Sequence, residues 1–419
     1  MSGTALATLL TVLSGLAGSV QVALMSRLGE RIGVLQALGF SAALTGVLAT
    51  LPYIALQLVG MQVVFEAMGF GGVRQGTEIA LVVAFVVLAV YTYTSGLRAP
   101  AMIAFVKDTM IYVFVIAAVI VVPAKLGGYG AVFAAADRAF AAKGGNAGVL
   151  LQPGQAMPFA SLALGSALAL FLYPHAATGM LAASNANTLR RNAIVLPIYS
   201  IMLGLIALMG YMAIAANVPA KGPAVVPALI AQSFPEWFAG FCYAAIALGA
   251  LVPAAIMSIG AANLVTRNIW RPFVERDMSA RRESTVAKVT SLAVKFGALA
   301  FVVFLPLEYA INLQLLGGIW IAQILPAIAF GLFTRWFRGG ALLAGWALGM
   351  VLGTALSASV GMKPVFALPE IGGVYIGLIA LAATIAVAAA LTAVANARGH
   401  APARDATSSG DYEDAPARA

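Results

Sequence analysis

The stretch Leu248–Trp270 reads LGALVPAAIMSIGAANLVTRNIW, an apolar run whose middle turns to small and polar residues such as Ala254, Ala255, Ser258, Gly260 and Asn263. In lipid an exposed hydroxyl or amide is costly, so such residues face a neighbouring helix or a wet cavity. Asp108, preceded by Lys107, sits about two turns into the run that starts at Ala101. A carboxylate withdrawn from water binds a cation or a proton, while the alternative is a structural role near a helix end. Successive residues point about 100° apart on a helix, so Lys107 and Asp108 need not pair. His175 follows Pro174 in FLYPHAATGM. The proline leaves a backbone carbonyl free, and the imidazole beside it can donate to a solute, carry a proton, or be satisfied structurally. Thr45, Tyr53 and Gln57 share one run, with Tyr53 and Gln57 one turn apart on one face, and Gln323 stands three residues before Pro326. Tyr and Gln side chains can hold a small polar solute or hydrogen-bond between helices.

These residues must be positioned by membrane helices. Of 419 residues, 62% are hydrophobic and 9% charged, with a mean hydropathy of +0.97. A soluble domain carries about a quarter charged residues, so most of this chain has hydrocarbon as its solvent. Apolar runs long enough to cross a core of roughly 30 Å fall near 4–26, 34–60, 78–97, 101–123, 157–183, 191–216, 238–269, 286–308, 312–336, 340–361 and 371–396. The expectation is an all-α polytopic membrane protein of about 11 transmembrane helices. Alternate loops carry twelve Arg or Lys against six, which places the richer set in the cytoplasm, the N-terminus outside and the C-terminus inside the cell membrane. Lys295 is then expected to snorkel toward the cytoplasmic side. Residues 1–397 form the membrane domain, and 398–419, small, polar and charged, are expected to be a disordered cytoplasmic tail.

Two outer connections promise surface helices. In YGAVFAAADRAFAAK, Phe133, Ala136 and Phe140 repeat at helical spacing; in Val225–Phe241 a short helix is expected before Pro235, with Trp237 as an interfacial anchor. Gly345, Gly349 and Gly353 recur every four residues, a signal for close helix packing. No Lys or Arg precedes Arg27, so the first run is read as retained rather than as a cleaved signal.

Other classes are disfavoured. The lone Cys242 excludes an internal disulfide and is read as core packing. Two histidines without ligand spacing argue against a structural metal, and no cofactor is implied. The basic residues are scattered between apolar runs, which fits topology rather than nucleic acid. No Ser/His or paired-carboxylate arrangement at catalytic spacing suggests an enzyme.

Four stretches, LTGVLATLPYIALQLVGMQVV, SGLRAPAMIAFVKDTMIY, LYPHAATGMLAASNANTLRRNAIVLPIYS and PAAIMSIGAANLVTRNIW, occur in order across about residues 34–337. Through them the chain resembles the sodium/solute symporter family, most closely its monocarboxylate permease branch. The resemblance implies an inverted-repeat fold of five plus five helices, with substrate and coupling ion near the membrane midplane. It implies import of small monocarboxylates such as pyruvate, lactate or acetate, coupled to sodium or protons. It also implies a sodium site built from the Ala255 carbonyl and the Ser258 hydroxyl, while the position of a second hydroxyl falls on Ile259. Sodium prefers oxygen ligands, so Ile259 gives weight to proton coupling through Asp108. Substrate contacts are expected from Tyr53, Gln57, His175 and Gln323. Family members have three helices before the one matching LTGVLATLPYIALQLVG, where this chain shows one run at 4–26, so the first repeat is expected to be incomplete. The alternatives are a non-transporting membrane module, an inactive truncated transporter, or a symporter for another small organic solute. The expected partners are a small organic acid and the bilayer; oligomeric state is not legible.

Overall fold

The computed structural model describes residues 34–70, 82–94 except 84, 88 and 91, 98–144, 148–181 except 153, 183, 185–304, 308–334 and 336–399. Thirteen helices carry the described fold: α1 (Val34–Ala67), α2 (Arg98–Lys125), α3 (Tyr129–Lys143), α4 (Ala156–Leu170), α5 (Pro174–Leu181), α6 (Ala186–Ala215) and α7 (Val225–Ser233), then α8 (Glu236–Val265), α9 (Ala280–Phe304), α10 (Glu308–Ala322), α11 (Leu325–Phe333), α12 (Gly339–Ser359) and α13 (Ile376–Ala397). A shorter apolar helical stretch, Phe85–Thr94, lies between α1 and α2. Among the described residues seven helices are long and apolar enough to cross a membrane, and the pair α4–α5, bent by 51°, has the length and composition of a broken span or a re-entrant loop.

Of the eleven expected runs, 4–26 lies outside the described residues and 78–97 is described in part. Of the run at 286–308, residues 286–304 lie in α9, whose first half carries Arg281, Arg282, Glu283 and Lys288 and is therefore less apolar than the other spans. Of the expected tail, only Arg398 and Gly399 are described. The all-helical expectation is amended by one antiparallel pair, β1 (Val365–Phe366) with β2 (Val374–Tyr375). There the Tyr375 amide donates to Ser161 Oγ at 2.9 Å and its ring fills the space left by Gly165 and Gly377.

Helix breaks follow from proline. Pro174 opens α5, because a residue without an N–H fits the first helical turn but cannot continue α4. Pro326 lies in the first turn of α11, and the chain crosses from α10 through bonds of the tighter i→i−3 type, Gln323 N to Trp320 O and Ile324 N to Ile321 O. Pro52, Pro197 and Pro253 lie inside α1, α6 and α8. Helix α8 runs on into a π-helical turn, Thr266–Trp270.

α1 is the central element, packing against α8, α9 and α10. One apolar core joins Ile54, Leu58 and Met61 of α1 to Ala254 and Met257 of α8 and Val294 and Ala298 of α9. A second joins α2, α3, α6, α7 and the start of α8, and includes the buried Cys242. The surface helix α3 buries Val132 and Ala136 and sets Phe133 and Phe140 against Tyr211. Helix α7 ends two residues before Pro235, and the Trp237 indole is exposed, as an interfacial anchor requires. Along α12, a Cβ on Gly345 would meet the Thr384 carbonyl, on Gly349 the Thr384 hydroxyl and Gln323 Oε1, and on Gly353 the side chain of Ile319. The four-residue glycine repeat thus lets α12 press against α13 and α10.

Candidate functional site

Two groups of polar residues meet at the broken span α4–α5. The first is aromatic. Tyr53 of α1 stands edge-on to Tyr173 and His175, with ring centroids 5.5 and 5.6 Å away, and Tyr173 lies 5.6 Å from His175. Tyr173 belongs to the turn between α4 and α5, and His175 to the first turn of α5. His175 Nδ1 is buried with no hydrogen-bond partner, and so is Thr45 Oγ1 of α1. A buried polar atom left unpaired is costly, so each calls for a partner supplied from elsewhere.

Two glycines admit the corner that carries these side chains. A Cβ on Gly46 of α1 would meet Pro174 Cγ at 2.9 Å, and one on Gly260 of α8 would meet the Pro174 carbonyl at 3.0 Å and the His175 amide nitrogen at 3.1 Å. Gly260 lies two residues from Ser258, so α8 ties the aromatic group to the second one.

That second group is a chain of hydrogen bonds. Lys295 Nζ donates to Ser291 Oγ at 2.8 Å, Ser291 Oγ donates to Ser258 Oγ at 3.1 Å, and Ser258 Oγ donates to the Ala255 carbonyl at 2.8 Å. Lys295 is 1% exposed and Ser258 fully buried. Lys295 does not reach the protein surface; its ammonium turns back one turn along α9, toward the start of that helix, to Ser291 on the same face. Ser291 escaped the sequence reading, although the i, i+4 spacing of a Ser and a Lys inside one apolar run was the available signal.

Lys295 and Ser291 line a cavity of about 710 Å³ between α5, α8 with its π turn, α9 and the stretch Phe85–Thr94. Ile259 and Asn263 face the same cavity. At its charged end Glu283 pairs with Arg267 at 2.7 Å and with Arg271 at 3.9 Å, and Lys288 Nζ lies 4.9 Å from the centre of the Tyr93 ring.

The remaining expected residues stand apart. Gln57 is half-buried, one turn beyond Tyr53 on α1. Gln323 is fully buried at the α10–α11 break; its Nε2 donates to the carbonyls of Ile319 (2.8 Å) and Gly377 (3.3 Å), and its Oε1 accepts from Thr384 Oγ1 (2.7 Å). It therefore knits α10 to α13. Asp108 lies on α2 with its side chain 42% exposed, paired with the Lys107 ammonium. Helical neighbours point apart, but a long lysine stem bends back far enough to reach. Among the described residues no group of three His, Cys, Asp or Glu side chains could hold a metal ion.

Together the apolar spans, the broken helix and the cavity beside it are those of a membrane transporter. Residues 5–349 match the model of the sodium:solute symporter family, and the chain belongs to that family. The match begins ahead of α1, so the run at 4–26 lies almost wholly within it. A protein of Rhizobium johnstonii (strain DSM 114642 / LMG 32736 / 3841) named monocarboxylate transport permease protein is 56% identical over 372 residues, 88% of this chain and 74% of that protein. Two uncharacterized symporters of Bacillus subtilis (strain 168), YodF and YhjB, are 32% and 30% identical, each over 70% of this chain. The chain spans 58% and 60% of their lengths. A solved structure of a Na+-coupled sialic acid symporter in a substrate-bound outward-open state superposes with a TM-score of 0.67 at 15% identity, covering 91% of this chain and 78% of that one. That likeness is one of fold. The chain is a transporter and not an enzyme.

Proposed function

We propose that the protein is a secondary symporter that imports small monocarboxylates such as pyruvate, lactate or acetate, driven by a sodium or proton gradient. The observation that carries the substrate class is the 56% identity, over 88% of the chain, to the monocarboxylate transport permease protein. The broken span supports it physically. The unpartnered His175 Nδ1 offers a polar contact beside an aromatic wall of Tyr53 and Tyr173, as a small solute with one charged end requires, and Thr45 Oγ1 is a second unpartnered group two turns earlier on α1. Gln57 extends this surface by one turn, and Gln323 acts behind it by fixing α10. This reading assigns the coupled proton to Asp108, whose side chain is 42% exposed. The five-plus-five inverted repeat, the N-terminus outside and the cytoplasmic C-terminus belong to the same reading. The arginine-rich α8–α9 connection then faces the cytoplasm, and the cavity beside α9 opens to that side.

The test is exchange of labelled pyruvate, lactate and acetate across proteoliposomes holding the full chain. Exchange that unlabelled monocarboxylates suppress and neutral analogues do not is the expected result. Absence of exchange for all three refutes the reading in favour of a non-transporting module.

A further inference from the structure

The Ala255–Ser258 corner is a poor host for a sodium ion. Its two oxygens bond each other, and Ile259 turns hydrocarbon to the cavity where a further hydroxyl would be needed. Ser258 Oγ also accepts from Ser291, whose own oxygen accepts from the Lys295 ammonium. Positive charge is therefore already delivered to this corner. Two hydrogen bonds, of 2.8 and 3.1 Å, link that ammonium to Ser258 Oγ, so an ion on this oxygen would lie one contact further on, near enough for like charges to repel.

An ammonium inside a membrane span is costly, even at the wall of a cavity as Lys295 is, and is retained where it has a function or a full set of partners. Among the described residues no ion pair includes Lys295: Glu283 is held by Arg267 and Arg271, and Asp108 by Lys107. The α1 residues packed in the same core, Ile54, Leu58 and Met61, are apolar, and the cavity's other charged groups, Arg267, Glu283 and Lys288, engage at its far end. We propose that Lys295 supplies the cation of the α8–α9 site from within the chain, its ammonium acting through Ser291 and Ser258 in place of a sodium ion. This rests on the reading of the chain as a symporter. The fixed charge holds α9 to α8 as a bound ion would, and it leaves coupling to a group elsewhere.

The experiment measures exchange of labelled pyruvate by the full chain in proteoliposomes, in sodium-free choline medium and in sodium medium. Wild-type exchange is expected to be indifferent to sodium. In choline K295A loses about tenfold or more, and sodium or ethylammonium, which fit the space vacated, restores it. K295M, which fills that space without charge, loses as much and is not restored. In parallel, ethylammonium raises the Tm of purified K295A and leaves that of the wild type unchanged, because only the variant has a vacancy to bind it. Wild-type exchange that requires sodium, K295A exchange equal to wild type in choline, or K295A neither restored nor stabilised by either cation overturns the proposal. Wild type that exchanges no monocarboxylate in either medium refutes the transport reading instead, and the Tm comparison then decides on Lys295 alone.

Discussion

Gly349→Ala is the sharpest test of how the α10–α12–α13 layer is held. The added methyl would be driven into the Thr384 hydroxyl and lie 2.5 Å from Gln323 Oε1, the two atoms that form the 2.7 Å bond between α13 and the α10–α11 break. Neither side chain has room to retreat, since Gln323 Nε2 is tied to Ile319 and Gly377 and both residues are fully buried. Overpacking of this kind costs about 1–3 kcal/mol. The interhelical hydrogen bond displaced is worth roughly 0.6–1.7 kcal/mol in a membrane. The expected destabilisation is thus about 2–5 kcal/mol. Gly204→Ala on α6, where an added Cβ meets nothing within 4 Å, should be neutral or stabilising by up to about 1 kcal/mol. The assay is thermal unfolding of the purified protein in one detergent, with the double variant G349A/T384A completing a cycle. Removing the Thr384 hydroxyl relieves the worse of the two clashes, so the pair should be less destabilised than the sum of its singles by about 1 kcal/mol or more. A G349A protein as stable as G204A, or strictly additive effects with T384A, would refute the packing argument.

H175A and Y53F should each raise KM for monocarboxylate uptake severalfold with little change in Tm, because His175 Nδ1 has no internal partner to lose; unchanged KM in both variants removes them from the substrate site. Gly260→Ala presses a methyl on the Pro174 carbonyl and His175 amide, both backbone atoms, so maximal uptake should fall more than substrate affinity as the α4–α5 corner shifts; full activity would show the corner to be free to move. D108N should abolish uphill accumulation while sparing exchange if Asp108 carries the coupling proton, and accumulation equal to wild type would reduce its pairing with Lys107 to an exposed ion pair worth about 0–1 kcal/mol.

What could be read from the sequence was whatever the solvent imposes. Hydrocarbon demands apolar runs, so α1, α2, α6, α8, α12 and α13 stood out by length alone, and proline marked the breaks before α5 and α11. Glycine spacing announced a close helix contact along α12, though not its partners, since only a missing side chain lets backbones approach so closely. Side-chain roles resisted because they depend on which helices become neighbours. Gln323 carries the same amide whether it meets a solute or Thr384, and only the position of α13 decides. Lys295 is the clearer case. Ten residues into a run, its stem is long enough to reach water, and snorkelling was the economical expectation. The outcome turned on Ser291 one turn away and Ser258 on another helix, separated by 33 positions from Ser291 in the chain. A polar residue in lipid must find a partner, and sequence reveals the need before it reveals the partner. Lys295 and Ser258, unpaired in sequence and joined through Ser291 in the fold, are for that reason where a family-level expectation about sodium is most open to replacement by chemistry particular to this chain.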